Sequence, residues 1–299
     1  MTCDYKTHYL KLLLSTITTL ALMPPSFSVD NAITPVLPLW AKSTGHDKYG
    51  QWADIVVKGV TQRMRWCPSG TFLMGTEPDT SPLGVNSLAD IYNHGISQDF
   101  DSVVQHQVTL THGFWMADSS CTQALWHAVM ESPINGDPEL PEDNVRWIDA
   151  QHFLMKLNAL DRGANFTLPT EAQREYACRA GVQSEYEGAA LDAVAWHHSN
   201  SGYHTHPVKQ KLPNAWGLYD MHGNVWEWCL DLGSPMCSRD AVTDPMGPQL
   251  VPKANEWNND RHIYRGGSAL EEDDRSCNAW TRADMKEFNG FRFCSVVVH

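Results

Sequence analysis

One stretch of the chain, residues 213–228, combines residue types that could do chemistry. It contains two glycines and three tryptophans in sixteen residues, with few aliphatic side chains. The carboxylates of Asp220 and Glu227 flank a segment in which Gly223 permits a tight backbone path. Calcium takes roughly six to eight oxygen ligands, which carboxylates and loop carbonyls supply. The stretch therefore predicts a rigid, tryptophan-packed loop that could wrap a hard cation; alternatively, its two carboxylates only cap backbone amides.

Two other groups of side chains could bind a ligand. Residues 271–274 are four consecutive carboxylates, which would suit a cationic ligand or a metal but usually form a solvated loop. Four histidines, which could hold a transition metal or simply occupy a surface loop, lie close in sequence: His197, His198, His204 and His206. The sequence contains no nucleotide-binding loop, no His-Glu-x-x-His motif and no serine nucleophile elbow.

The composition excludes some classes of partner. The chain has 299 residues, which allows one large domain with a real core, and twelve tryptophans, most of them expected in that core. Its formal charge is −13, from 22 Lys and Arg against 35 Asp and Glu. Such an acidic chain is not expected to present a basic face to nucleic acid or to an anionic membrane.

Residues 1–28 have the features of a secretory signal. Lys6 and Lys11 precede an apolar run at 12–23 that is too short to span a bilayer, and 26–28 has the small-x-small form of a cleavage site. The alternatives are an N-terminal anchor or a misread start. No later run is long and apolar enough to span a membrane, so the mature protein is expected to be secreted or periplasmic.

Export would place the cysteines in an oxidising compartment. Of eight cysteines, Cys3 would leave with the signal and seven would remain, so at least one is free or pairs between chains. Cys229 and Cys237 are close enough in sequence for a local disulfide. The candidates for a long-range disulfide are Cys178, Cys277 and Cys294.

The pattern of elements predicts an irregular, loop-rich α+β domain rather than an alternating α/β sheet. Residues 29–60 are interpreted as an N-terminal extension and 61–299 as the domain. Thr170 and Gln173 have capping-box spacing at the start of a helix, which Gly181 would end. The other predicted elements are a strand pair in 63–74 around a turn at 68–70, a surface loop at 76–103, a strand at 104–110, helices at 122–130 and 148–160, and closing strands at 263–265 and 291–298.

Six segments in order resemble the formylglycine-generating enzyme family, also called sulfatase-modifying factors. They are residues 70–75 (GTFLMG), 122–126 (TQALW), 168–172 (LPTEA), 213–228, 265–268 (RGGS) and 289–292 (NGFR). The resemblance covers roughly residues 61–299. It implies a single compact domain of the C-type-lectin-related kind that often binds calcium. In the founding enzymes it implies oxidation of a cysteine in a sulfatase peptide to formylglycine, by a copper-binding cysteine pair just after the Gly-Gly-Ser.

The chain departs from the family at that cysteine pair. The first cysteine should fall near Glu271, where there is none, and the second falls at Asp274 or, less well, at Cys277. Carboxylates are hard ligands and cannot replace two thiolates around Cu(I). Copper is therefore not expected, and Cys277 is only a weak candidate for a catalytic residue.

The resemblance also implies which residues form the other sites. A calcium ion would be held by the Asp220 side chain, the carbonyls of Gly223 and Val225, and Glu227. A second calcium site would use residues near Asn200 and Ser201, but its acidic ligand is missing. The cleft would be lined by Trp226, Ser268 and Arg282, although Trp226 could equally be core and Ser268 could serve only the local backbone.

These observations predict a secreted, calcium-stabilised family member that has lost formylglycine chemistry and binds a peptide, protein or small-molecule ligand. The alternative is an oxidoreductase that acts on a peptide or secondary metabolite by altered chemistry in the same cleft. A third reading is a structural envelope protein whose cleft is filled by its own side chains.

Overall fold

The computed structural model describes residues 28–29, 37–76, 105–160, 163–183, 190–233, 239–247, 262–272, 274–279, 281–283 and 289–296. The signal segment up to residue 27, the polar segment 77–104, Cys237 and Asp273 lie outside the described residues. Ser28–Val29, at the end of the predicted signal segment, form a short strand (β1).

Short strands and helices alternate with coil along the chain. The strands that follow β1 are β2 (Ser43–Asp47), β3 (Gly50–Val57), β4 (Val60–Cys67), β5 (Gly70–Met74), β6 (His106–Leu110), β7 (Phe114–Ala117), β8 (Phe166–Thr167), β9 (Glu227–Leu232), β10 (Val242–Thr243), β11 (His262–Arg265), β12 (Arg282–Ala283) and β13 (Cys294–Val296). The helices are α1 (Gln123–Met130), α2 (Trp147–Leu160), α3 (Glu171–Arg179), α4 (Leu191–Val194) and α5 (His198–Ser201), with a 3₁₀ turn at Asp274–Cys277.

The described strands form three sheets. The largest has the order β2-β3-β4-β7-β13-β8, a second has the order β1-β5-β6-β10, and a third has the order β12-β11-β9. Every pairing is antiparallel except that of β10 with β6. This mixture of short sheets, few helices and much coil confirms the predicted α+β, loop-rich architecture.

The strand pair predicted around the turn at 68–70 is wrong. Both strands exist, but β4 pairs with β3 and β7, whereas β5 pairs with β1 and β6. The short connection carries the chain from one sheet to another, and period-two alternation alone cannot distinguish this from a hairpin. The closing strand begins three residues later than predicted, at Cys294, and residues 297–298 of the predicted strand lie outside the described residues.

Part of the predicted N-terminal extension packs with the rest of the chain. Strands β2 and β3 extend the largest sheet, and Ala53, Ile55 and Val57 of β3 are buried. Trp40 packs edge-on against Trp115 of β7 at 6.0 Å between ring centroids. The core of this side of the molecule therefore includes residues from before position 61.

The described cysteines form no disulfide. Cys67, Cys121, Cys178, Cys229, Cys277 and Cys294 are all buried, and none of them is bridged to another. The predicted long-range disulfide is absent because the sulfurs face other groups: Cys178 Sγ lies 3.6 Å from His222 Nε2, and Cys294 Sγ lies 3.8 Å from Gln173 Oε1. Cys237, the partner of Cys229 in the predicted local disulfide, lies outside the described residues. Among the described helices, none has the length and apolar character needed to cross a bilayer.

Candidate functional site

The loop at 213–228 is fixed by hydrogen bonds from its own polar side chains. Asn214 Oδ1 accepts from the amides of Trp216 and Leu218, and Asn214 Nδ2 donates to the carbonyl of Ala177 in α3 at 2.7 Å. The amide of Tyr219 donates to the carbonyl of Asp118. The loop is therefore rigid and docked on α3.

Two residues of the loop explain its tight path. An added Cβ at Gly223 would lie 2.3 Å from the carbonyl oxygen of Trp196, so only glycine fits there. Asn224 has a positive φ of 69° and exchanges hydrogen bonds with the backbone of His206 through both ends of its amide. The loop thus closes against the segment 196–206 through a backbone contact that no larger residue would allow.

Asp220 is one of the predicted calcium ligands, and its carboxylate is buried. Oδ2 accepts from the amide of Lys209 at 2.8 Å, while Oδ1 has no hydrogen-bond partner among the described residues. Burial raises the pKa of Asp220 to about 6, with a smaller upward contribution from the charge of Glu227. Asp220 Oδ1 is therefore an oxygen that could accept a cation or a proton.

Glu227 is the second predicted carboxylate ligand, and it is already neutralised. Its Oε2 accepts from Arg174 Nε at 2.8 Å and from Arg292 Nε at 2.7 Å, and its Oε1 accepts from Ser120 Oγ at 2.5 Å. Burial acts to raise the pKa of Glu227, but the charges of Arg292 and Arg174 lower it below its ordinary value. The carboxylate that was predicted to bind calcium therefore binds two guanidinium groups instead.

The two predicted carbonyl ligands lie in the same loop. The carbonyl of Gly223 accepts from the amide of Val225 at 3.0 Å, and the carbonyl of Val225 lies close to Gly266. Of the four predicted ligands, Asp220 fits a calcium ion and Glu227 does not. Within the described ranges no group of three or more His, Cys, Asp and Glu side chains is arranged to hold a metal ion.

The predicted cleft residues are only partly brought together. Trp226 Nε1 donates to Glu271 Oε2 at 3.2 Å, and the Trp226 ring packs edge-on against Tyr264 at 5.1 Å. Ser268 Oγ accepts from the amide of Leu270 at 3.2 Å, which is the local backbone role considered for it. The turn that carries Ser268 and Glu271 thus approaches Trp226, and the half-buried Glu271 is its contact residue.

Arg282, which the resemblance places near the cleft, is hydrogen-bonded to Glu171. Its Nε donates to Glu171 Oε1 at 2.6 Å and its Nη2 donates to Glu171 Oε2 at 3.0 Å. Arg265 donates to the same carboxylate through Nε and Nη2, and both arginines are buried. Arg282 is therefore bound within a buried ion cluster that joins α3 to the third sheet.

The burial of the charged helix α3 was not predicted from the sequence. Glu171, Arg174, Glu175 and Arg179 are all fully enclosed, although such residues normally face solvent. Glu175 pairs with Arg179 at 2.8 Å and with Arg265 at 3.0 Å. A signal was present in hindsight for one pair, because Glu175 and Arg179 lie four residues apart and bind each other. The partners of Glu171 and Arg174 lie far away in sequence.

Cys277 is enclosed and does not present its sulfur as a reactive group. An added Cβ at Gly267 would lie 2.7 Å from Cys277 Sγ, which shows how closely the backbone covers it. The carbonyl of Cys277 accepts from His222 Nδ1 at 3.0 Å, so in the neutral ring Nε2 is unprotonated and faces Cys178 Sγ. Burial raises the pKa of the Cys178 thiol, which keeps it protonated.

The four histidines of the cluster contact aromatic rings and neighbouring polar groups, and they are not arranged as a metal site within the described residues. His206 stacks on Trp196 at 3.7 Å between centroids and lies 4.3 Å from His204, while His197 Nε2 lies 2.7 Å from Asp192 Oδ1. At the predicted second calcium site, Ser201 Oγ donates to the carbonyl of Ala269 at 2.6 Å. These side chains tie neighbouring loops together.

Comparison with known proteins agrees with the fold and the motif order. The family model for the sulfatase-modifying factor enzyme 1-like domain matches residues 56–295, and the chain belongs to this family. The formylglycine-generating enzyme of Streptomyces coelicolor is 34% identical over 166 residues, which cover 50% of this chain and 48% of that protein. The formylglycine-generating enzyme of Mus musculus is 36% identical over 228 residues, covering 60% of this chain and 61% of that protein.

Other relatives and solved structures extend the comparison. The chaperone protein LppX of Paenibacillus barcinonensis is 31% identical over 126 residues, covering 35% of this chain and 42% of that protein. Among solved structures, Treponema denticola variable protein 1 matches with a TM-score of 0.65 at 24% identity, covering 82% of this chain and 98% of that one. PvdO from Pseudomonas aeruginosa matches with a TM-score of 0.58 at 21% identity, covering 86% and 99%.

These matches confirm the predicted family and fold class. The likeness to the two solved structures concerns the fold alone. The chain spans about half the length of the curated relatives it matches, from 38% to 61% of the first three.

Proposed function

We propose that this chain is a ligand-binding member of the sulfatase-modifying factor family that does not generate formylglycine. The observation that carries the proposal is the contact between Glu271 and Trp226. Glu271 stands where the resemblance places the first copper-binding cysteine, and its carboxylate is hydrogen-bonded to the indole at 3.2 Å. A carboxylate therefore occupies the position beside the tryptophan at which the family's oxidases need a thiolate.

The chemistry of the remaining thiols supports this proposal. A two-coordinate Cu(I) site needs two soft ligands. A cysteine serves as such a ligand in its deprotonated thiolate form, so a raised thiol pKa disfavours copper binding. Burial raises the pKa of five described cysteines, Cys67, Cys121, Cys178, Cys229 and Cys294. Cys277 lies under the backbone of Gly267, so it is poorly placed to replace the missing pair.

The same contact indicates the kind of ligand. Glu271 is partly exposed and Glu272 is exposed, so the turn presents negative charge next to the aromatic pair Trp226 and Tyr264. Because Trp226 and Tyr264 are buried, the ligand would meet the carboxylates, which favour a positively charged group such as the amine or guanidinium of a peptide, protein or small molecule. The relative named as a chaperone protein is compatible with a binding role. The signal-like N terminus supports a secreted or periplasmic location.

An assay of the purified chain tests the loss of oxidase chemistry. The protein is loaded with Cu(I) and incubated with a Cys-x-Pro-x-Arg peptide, and the aldehyde product is measured by mass spectrometry. The Streptomyces coelicolor relative, treated in the same way, serves as the positive control. We expect no turnover and no stoichiometric copper in competition with a Cu(I) chelator; aldehyde formation at a rate near that of the control would overturn the proposal.

A further inference from the structure

We infer that two arginines, rather than a calcium ion, close the loop at 213–228. The arginine clamp consists of Arg174 of α3 and Arg292 of the segment before β13, both bonded to Glu227. The family resemblance predicts that Glu227 ligates calcium, and the structure disagrees with that prediction at this one residue. The inference concerns what stabilises the loop and does not depend on the proposed function.

The arginine clamp joins the C-terminal end of the loop to its middle. At the C-terminal end, both guanidinium groups donate to Glu227 Oε2 at 2.7–2.8 Å. In the middle of the loop, Arg174 Nη2 donates to the carbonyl of Met221 at 3.0 Å, and Arg292 Nη2 donates to the carbonyl of Tyr219 at 2.8 Å. These carbonyls are distinct from those of Gly223 and Val225, which were the predicted ligands, so the arginines join the two parts of the loop through groups of their own.

Charge balance opposes a divalent cation at Glu227. The side chains of Glu227, Arg174 and Arg292 are at most 2% exposed, so their charges are poorly screened. Glu227 supplies one negative charge against two positive ones, and a calcium ion bonded to its carboxylate would lie within a few ångströms of both guanidinium groups. Asp220 and Asp118 are further buried acids that interact electrostatically with Arg292, but neither accepts a hydrogen bond from Arg174 or Arg292 through its carboxylate in the contacts described above.

The glycine pair before Ser268 makes room for the clamp. Gly266 has a φ of +108°, and an added Cβ would lie 3.0 Å from Arg174 Nη2 and 3.5 Å from the carbonyl of Met221. Any larger residue would be strained in its backbone and would press on the guanidinium group. The turn at Gly266 and the placement of Arg174 are therefore mutually dependent.

Thermal unfolding of the full chain tests the inference. The melting temperature is measured in excess EGTA and in excess calcium chloride, and calcium binding is measured by isothermal titration. A site that binds calcium tightly would raise the melting temperature by several degrees, because ligand binding to the folded state stabilises it. We expect a change of less than about 1 °C between the two buffers and no heat of calcium binding.

Variants identify the group responsible. Arg174→Met is expected to lower the melting temperature by roughly 10 °C, since it leaves a buried carboxylate short of a partner. Arg146→Met, at the exposed ion pair with Asp149, is the matched control and should change it by less than about 2 °C. Should Arg174→Met fail to fold, the calcium titration of the unaltered chain still decides the question.

One result would overturn the arginine clamp: a melting temperature that falls by several degrees in EGTA, together with loss of that calcium dependence in Glu227→Gln. Calcium binding that persists in Glu227→Gln would place the ion away from this carboxylate and would support the clamp.

Discussion

The indole N–H of Trp226 donates to Glu271 Oε2 at 3.2 Å, which joins the end of the tryptophan-rich loop to the turn after the glycine pair. Glu271 is only half-buried, so we expect this contact to contribute modestly to the stability of the fold. We expect Glu271→Ala to lower the free energy of unfolding by no more than about 1.5–3 kcal/mol, the usual net effect of one hydrogen bond to a charged group.

Urea unfolding checks this expectation, with the exposed Glu272→Ala as the control. A loss above about 4 kcal/mol in Glu271→Ala, as is typical of disrupted buried networks, would mean that Glu271 is a structural residue and would weaken the proposed ligand site.

Glu171→Gln should be far more damaging than Glu271→Ala. The Glu171 carboxylate accepts from Arg265 Nη2 at 2.7 Å and from Arg282 Nε at 2.6 Å, and all three side chains are at most 5% exposed. Neutralising it leaves two buried guanidinium groups with an incomplete set of partners, at a cost of about 3–5 kcal/mol. The free energy of unfolding in guanidinium chloride measures the loss.

The exposed pair of Arg146 and Asp149 supplies the control for Glu171→Gln. Asp149→Asn should cost less than about 1 kcal/mol, since solvent screens this pair. Equal effects of the two substitutions would contradict the view that the ion cluster on α3 is a structural core.

Asp231 should make stability depend on pH near neutrality. Burial and the adjacent charge of Glu171 raise the pKa of Asp231 from 3.8 to about 7. Because the folded state holds this proton more tightly than the unfolded state, the stabilisation is fully present below about pH 4 and is lost as the pH rises to about 7. The loss amounts to at most about 4 kcal/mol.

Urea unfolding from about pH 5 to about pH 8 measures this effect. The range avoids the acidic region in which Glu171 and Glu227, whose pKa values are lowered, act in the opposite direction. Asp231→Asn keeps an oxygen that can accept from the amide of Glu171 and should reduce the slope most clearly above about pH 6, because Asp220, whose pKa is raised to about 6, acts in the same direction at lower pH. An unchanged slope in this variant would assign the pH dependence to other groups.

The six described cysteines should resist alkylation in the folded protein. All six are buried, and burial keeps the thiols protonated where their pKa is raised. Iodoacetamide followed by peptide mass mapping should leave them unmodified in the native state and modify all of them in denaturant. Rapid native labelling of Cys277 would show that its sulfur is accessible and would reopen its candidacy as a reactive residue.

Local features were predictable because neighbouring residues decide them. Thr170 Oγ1 accepts from the amide of Gln173, and Gln173 Oε1 accepts from the amide of Thr170, which is the capping box that the spacing predicted. The helices Gln123–Met130 and Trp147–Leu160 lie within a residue of the predicted bounds. Periodicity and capping need no knowledge of distant partners.

Pairings across long sequence separations were not predictable in the same way. Alternation placed strands on either side of residues 68–70 but could not show that they enter different sheets. The hydrogen bond between Arg282 and Glu171, which lies 111 residues away, was not predicted from the sequence. The partner of a charged side chain depends on which elements pack together, and a single sequence does not record that.

The order of the motifs in the sequence determined the family and, through it, the loop-rich α+β fold, because a long tryptophan-rich segment and five shorter ones in order are specific to that family. The missing thiols at Glu271 and Asp274 are equally a fact of sequence. Only the tertiary structure decided that Glu227 is neutralised by Arg174 and Arg292 and that Glu271 meets Trp226. The physical reason is that a buried carboxylate is satisfied by whichever cation the fold brings within hydrogen-bonding distance.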